Sequence, residues 1–315
     1  MVRDDRVVVI LVAMAANIAI AISKFVAFLL TGSASMLAET YHSISDTGNQ
    51  ILLLTGVYYS RKRATRLHPF GYGKAHFFYA LLVSVLLFGI AGWESIQHGI
   101  SSMRDLTPIA EGTVTVLGLR FHSVYVAYAV LVVTILFDGL SYLRAKRSLD
   151  EEVKIRGWRS FKEAFEKTSD TPVLAVLVEN AIATAGATIA LVAIFLSRQF
   201  NDPRIDAAGA ILIGLMLMAF AIALGWENKQ LLIGESLPRR TEGRLKSLIL
   251  EHDCVVAITD VRTVYFGPEN VILTADVVFE DDLDTETIDT CITAIEDVLK
   301  EEEPLITKVY IEPEV

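Results

Sequence analysis

Apolar positions along this chain gather into six runs of about twenty residues, Val7 to Leu30, Ser35 to Tyr59, Phe77 to Ile100, Val124 to Leu143, Val173 to Leu196 and Ile205 to Glu227. At ~1.5 Å rise per residue each run covers the ~30 Å hydrocarbon core of a bilayer, so the pattern predicts six transmembrane helices. The first run is too long for a signal-peptide core, carries Asn17 and Lys24, and is followed almost at once by another span, so it is read as a retained helix. Beyond Glu235 the period changes. Arg239 to His252 reads as an amphipathic helix. Ile258 to Phe266 and Val271 to Glu280 alternate as strands around a Gly267-Pro268-Glu269-Asn270 turn; Thr285 to Glu303 is a second helix and Ile306 to Glu312 a last strand. The predicted fold class is an α-helical membrane protein: a six-helix transmembrane domain over residues 1–234 and a small cytoplasmic α/β domain of order αββαβ over residues 235–315.

Composition sharpens this picture. Of 315 residues 53% are hydrophobic and 21% charged, with a mean hydropathy of +0.46, outside the range of ordinary soluble enzymes. The net charge of −10 is uneven: from Glu235 onward there are 7 Lys/Arg against 20 Asp/Glu, leaving the rest of the chain slightly positive. So acidic a tail repels nucleic acid, which is excluded as a partner, and attracts cations. Cys254 and Cys291 are too few for a disulfide framework or a Cys-rich zinc module, and Cys254 is expected to be a buried thiol.

Lys and Arg set the orientation. They are absent from Thr31 to Ala34, but Ser60 to His76 holds five and Arg144 to Thr171 eight, and the loops after the third and fifth spans are poor in them. Both termini are therefore predicted on the cytoplasmic side. The short termini, with no transit-like leader, place the chain in a prokaryotic inner membrane. A tail of about 80 residues is near the lower limit for an independent core, which suggests support from a second copy in a homodimer.

Ionisable residues within the spans carry the candidate chemistry. A charged group in hydrocarbon costs at least ~2.5–3.5 kcal/mol, whereas an interhelical polar bond returns only ~0.6–2 kcal/mol, so structural bridging is a poor account of several such groups at one depth. On the second span Glu39, His42, Asp46 and Asn49 are spaced three, four and three apart, on one stripe of a helix. An imidazole and a carboxylate one turn apart can converge on a single metal ion. Counting from the span ends, Asp46 and Glu179 of the fifth span both fall roughly 10 Å from the cytoplasmic edge, with Asp138 of the fourth near the same level. Glu94 and His98 flank Trp93 at the outer interface, and His68 and His76 lie in a basic loop, so neither pair is assigned metal. Asp206 reads as a helix-start or contact residue. Gly71-Tyr72-Gly73-Lys74 lacks the spacing and preceding strand of a phosphate-binding loop.

At these positions the chain resembles the cation diffusion facilitator family of metal/proton antiporters. The resemblance rests on six spans with an αββαβ tail, Gly32-Ser33 before the second span, His42-x-x-x-Asp46 within it, His68-Pro69-Phe70-Gly71-Tyr72-Gly73-Lys74 before the third, and Leu232-Ile233-Gly234-Glu235 after the sixth. It implies a zinc site between the second and fifth spans, with His42 and Asp46 as one ligand pair. The second pair departs from the usual His-x-x-x-Asp: the fifth span reads Glu179-Asn180-Ala181-Ile182-Ala183, which is similar to the subgroup related to human zinc transporter nine. His42, Asp46 and Glu179 are thus the expected ligands. The remaining coordination is open to water, Asn180, Asn49 or Asp138.

The expected function is export of a divalent metal from the cytoplasm in exchange for protons by alternating access. Ligands must shed protons to bind metal, so the same side chains would carry both cargoes. Imidazole with carboxylates suits Zn2+ first, and Mn2+, Fe2+ or Co2+ as well. No permanently bound cofactor and no enzymatic activity are expected; the partners are the ion, protons, lipid and a second copy. The alternative from another class is a non-transporting scaffold or metal-binding regulator, which Ala183 would permit.

Overall fold

In the computed structural model, residues 2–106, 109, 112–116, 119–156 and 171–314 are described. Six long helical rods are present: α1 (Val2–Thr31), α2 (Ala34–Ser60), a third rod made of α3 (Ala75–Leu86), a π-helical segment (Leu87–Trp93) and α4 (Glu94–Asp105), then α5 (Ser123–Arg156), α6 (Thr171–Phe200) and α7 (Pro203–Ile233). Among the described residues five of these rods are long and apolar enough to cross a membrane. The exception is α2, at 27 residues long enough but diluted by the polar stripe that the sequence singles out. Large apolar side chains such as Ile22, Leu29, Val133, Leu136 and Ile222 are exposed along the rods, as a lipid-facing surface requires.

Three features of the rods depart from the expectation. The fourth helix runs to Arg156 rather than stopping near Leu143, so the first half of the predicted basic loop is helical. Lys146 with Asp150, and Arg147 with Glu151, supply i,i+4 charge pairs that favour this. Arg159, Lys162, Lys167 and Asp170 of that loop lie outside the described residues. A short antiparallel hairpin, β1 (Thr113–Val116) with β2 (Leu119–His122), precedes α5; the Thr-Val-Thr-Val alternation was its only signal. The π-helical turn in the third rod coincides with Gly89 and Gly92.

By packing, the described residues fall into two compact units. The first joins residues 1–50 and 84–223. Its core is dominated by Ala and branched aliphatics, including Ala27, Ala38, Leu87, Leu131, Ala187, Ala190, Ile194, Ile213 and Leu217. Small residues let backbones approach closely, as membrane helices require. Gly92 and Gly99, two turns apart, meet α7: a Cβ on Gly99 would stand 3.0 Å from the Ala207 carbonyl, and one on Gly214 would stand 2.9 Å from the Gly92 carbonyl.

The N-terminus of α2 is fixed within this unit by an acceptor from another helix. α1 ends at Gly32, whose φ of +66° a side chain would strain. Ser33 then caps α2, its Oγ accepting from the Met36 N–H at 3.2 Å. Buried Asp206, in the first turn of α7, accepts from Ser33 Oγ (2.9 Å), from the N–H groups of Ala34 (2.6 Å) and Ser35 (3.4 Å), and from Ser35 Oγ. The contact reading of Asp206 is met, and the Gly-Ser pair before the second span acquires a physical reason.

The second unit joins residues 51–83 and 224–315. α7 stops at Gly234, φ +123°. The tail follows in the order α8 (Arg239–Leu250), β3 (Val255–Gly267), β4 (Asn270–Phe279), α9 (Thr285–Glu302) and β5 (Ile306–Glu314). β4 is central, antiparallel to β3 and parallel to β5. Leu245 and Ile249 of α8 and Cys291, Ile295 and Leu299 of α9 bury their apolar stripes with Val271, Leu273, Ala275 and Val277 of β4. Cys254 is not the free thiol expected: it forms a disulfide with Cys291, Cα atoms 6.7 Å apart. The segment between α2 and α3 packs on the end of the β3–β4 hairpin. Backbone meets backbone at Gly73 and Gly267, Phe70 stacks near Phe266 at 5.2 Å, and Lys74 Nζ donates to the Leu232 carbonyl at 3.3 Å. The Gly-Tyr-Gly-Lys stretch therefore serves close packing.

Asp284 caps α9, accepting the Thr287 N–H at 2.8 Å, and hydrogen bonding from the Thr287 side chain, together with that backbone bond, holds its carboxyl below the ordinary aspartate range. A carboxyl so lowered contributes stability that is present above its unfolded pKa of ~3.9 and is lost as pH falls through the lower folded value. Asp284→Ala is expected to speed amide exchange in the first turn of α9 at neutral pH, measured by hydrogen–deuterium exchange of the whole protein, with the wild type converging on the variant only under strong acid.

Candidate metal site

The stripe on α2 turns inward. Glu39 (0% exposed), His42 (2%) and Asn49 (8%) are buried together with Ser35, Thr40, Ser43 and Ser45, a concentration of polar groups that an apolar bundle tolerates only with partners or an ion. His42 and Asp46 sit one turn apart with Nδ1 and Oδ1 separated by 3.5 Å. Among the described residues neither imidazole nitrogen finds a hydrogen-bond partner, and Ser45 Oγ, Asn49 Oδ1, Gln50 Oε1 and Glu39 Oε1 are likewise buried and unpartnered. A buried His with both nitrogens unengaged is poorly accounted for as structural glue, which would use at least one of them.

α6 supplies the opposite wall. Glu39 Oε1 lies against Gly186, leaving no room there for a Cβ. For helices running in opposite directions, moving seven residues along each from this contact arrives at Asp46 and at Glu179, two turns or ~10 Å away. Glu179 accordingly interacts electrostatically with Asp46, His42 and Asp138. Asp138 of α5 also acts on Asp46 and His42. The same register sets Ala183, buried and without a donor atom, opposite His42. Among the described residues no three His, Cys, Asp or Glu side chains are gathered tightly enough to form a coordination shell. The structure thus brings His42 and Asp46 together, with Glu179 and Asp138 inside their electrostatic reach, and keeps Glu94 exposed and His98 edge-on to Phe28.

Sequence reasoning missed one partner. Lys24, in the last third of α1, is 1% exposed and its Nζ donates to Glu39 Oε2 at 2.6 Å. Breaking such a pair by removing one member costs ~3–5 kcal/mol, because the other is left charged and dry. The available signal was a single lysine amid an apolar run, which had been weighed only against a signal peptide.

Residues 10–233 match the cation efflux transmembrane domain, which is most of the chain. The chain belongs to the cation efflux family. It is 29% identical over 272 residues to the human protein named proton-coupled zinc antiporter SLC30A9, mitochondrial, a match covering 86% of this chain and 46% of that one. It is 26% identical over 256 residues to metal tolerance protein C4 of Arabidopsis thaliana, covering 81% and 53%. The cation-efflux pump FieF of Escherichia coli (strain K12 / DH10B) is 28% identical over 252 residues, covering 79% and 73%. The chain therefore spans about half the length of the human and plant relatives, and its likeness to them places it in the subgroup around SLC30A9. A cation efflux family member with apolar helices of this length is an integral membrane protein.

Proposed function

We propose that this protein exports a divalent metal cation, zinc first, from the cytoplasm in exchange for protons. The observation that carries the reading is buried His42, without a hydrogen-bond partner among the described residues, one turn from half-buried Asp46, with Glu179 within electrostatic reach across the bundle. Metal binds neutral imidazole and ionised carboxylates, so loading from the cytoplasm displaces protons and reprotonation on the far side promotes release. His42, Asp46 and Glu179 are the proposed ligands; Asn180, Asn49 or Asp138 completes the shell, and Asp138 can also pass protons. Imidazole and carboxylate donors without sulfur suit Zn2+, and also Mn2+, Fe2+ and Co2+. The names of the human and bacterial relatives point the same way.

The accompanying topology is a membrane domain over residues 1–234 and a cytoplasmic domain over residues 235–315, with both termini cytoplasmic, in a prokaryotic inner membrane. A homodimer supports the small tail, whose acidic surface raises the local cation concentration. The test uses purified protein in liposomes holding a zinc-sensitive and a pH-sensitive dye. Added Zn2+ should enter faster when the lumen is acidic, and its entry should raise luminal pH. Entry indifferent to the gradient defeats the antiport, and binding without entry favours the scaffold.

A further inference from the structure

The buried Lys24–Glu39 pair has no part in a site made of His42, Asp46 and Glu179 alone, yet it lies on the same stripe of α2, one turn beyond His42. Three observations set it apart from a bridge that merely joins α1 to α2. Only one carboxylate oxygen of Glu39 is used: Oε2 meets Lys24, while Oε1 is buried with no hydrogen-bond partner. The free oxygen lies toward α6 at Gly186, where the absence of a side chain gives it room. One turn along α6 from Gly186 stands Ala183, which offers no donor atom opposite His42.

We infer that Glu39 is a further metal ligand, supplying from α2 the carboxylate that Ala183 fails to supply from α6, and that Lys24 is the tethered cation to which Glu39 returns when the ion leaves. This rests on the metal site proposed above. A carboxylate in an apolar bundle needs a cation at all times. Lys24 provides one on a flexible four-carbon stem that can yield its place without leaving the bundle. Oε1 offers the incoming ion a dehydrated anionic oxygen before Oε2 lets go of Lys24, so that the carboxylate is never left without a counter-charge. His42, one turn from Glu39 on one side and one turn from Asp46 on the other, would be shared as the ion passes from the Asp46–Glu179 level outward to Glu39, with zinc taking N/O donors at each level.

The test compares Zn2+ binding by isothermal titration, and the visible absorption of bound Co2+, in detergent-purified full-length protein. Glu39→Gln should weaken Zn2+ binding by about 10- to 100-fold or more and alter the Co2+ ligand-field bands. Because that variant strands the Lys24 charge, the double variant Lys24→Met/Glu39→Gln is measured beside it; it leaves no unpaired charge and should bind as weakly. Lys24→Met alone keeps Glu39 and should retain the wild-type Co2+ bands. A double variant with wild-type affinity and unchanged bands overturns the inference and leaves a structural bridge. Asp46→Ala is the discriminating control. If it abolishes binding while the double variant does not, only Glu39 is misassigned; if it too binds Zn2+ normally, the underlying site has failed as well.

Discussion

Zinc entry into proteoliposomes is expected to fall by about 100-fold or more in both Asp46→Ala and Glu179→Ala, beyond the 10- to 100-fold that loss of an outer-shell partner typically costs. Each substitution removes an anionic donor from an apolar bundle that offers few others at that level. Asp46 and Glu179 come from different helices but interact across the gap, so the double variant should be no worse than either single one. Asn180→Ala, on the neighbouring face of α6, should lower the rate far less. Transport at the wild-type rate in either carboxylate variant would remove the site from between these helices, whatever the family membership says.

The largest structural effect is expected at Asp206. Replacing it by Ala leaves the Ala34 and Ser35 N–H groups and the Ser33 and Ser35 hydroxyls without their shared acceptor, in a buried position at the head of α2. Hydrogen bonds to a charged group contribute ~1.5–3 kcal/mol each and stranded donors cost ~1–3 kcal/mol, so a loss of about 3 kcal/mol or more follows even allowing for non-additivity. Thermal unfolding in detergent should show it as a large drop in midpoint. Asp206→Asn, which keeps one acceptor but turns an amide N–H toward a donor, should recover only part. A midpoint unchanged in Asp206→Ala would mean that Ser33 alone caps the helix.

Much of this was legible in the sequence because it depends on short-range spacing. The stripe Glu39, His42, Asp46, Asn49 follows from helical geometry, and counting residues from the span ends already set Asp46 level with Glu179. The tail's αββαβ order was readable from the change of period, with strand ends displaced by three residues at most. What escaped depends on contacts that no local pattern encodes. Lys24 finds Glu39 fifteen residues away across a helix turn-around. Gly92 and Gly99 look like interruptions of a span until Ala207 and Gly214 are found against them. Gly73 looks like half of a nucleotide loop until Gly267 is found to need it bare. Cys254 and Cys291 lie 37 residues apart, and only the packing of α9 on the sheet brings them within reach. The shape of Ala183 as a missing ligand was visible; its replacement was not, because the free oxygen of Glu39 becomes apparent only once the other is seen to be taken.

The glycine-lined seam between the third and sixth rods limits how this bundle can deform. Along it the side chains of Ile96, Ile211 and Met218 seat on bare glycines of the facing rod while backbone approaches backbone, so sliding one rod over the other would drive side chains into main chain. Those rods therefore resist sliding along this seam. In the transport cycle proposed for this protein, the rocking would then fall to the helices around that seam, α2 and α6 among them.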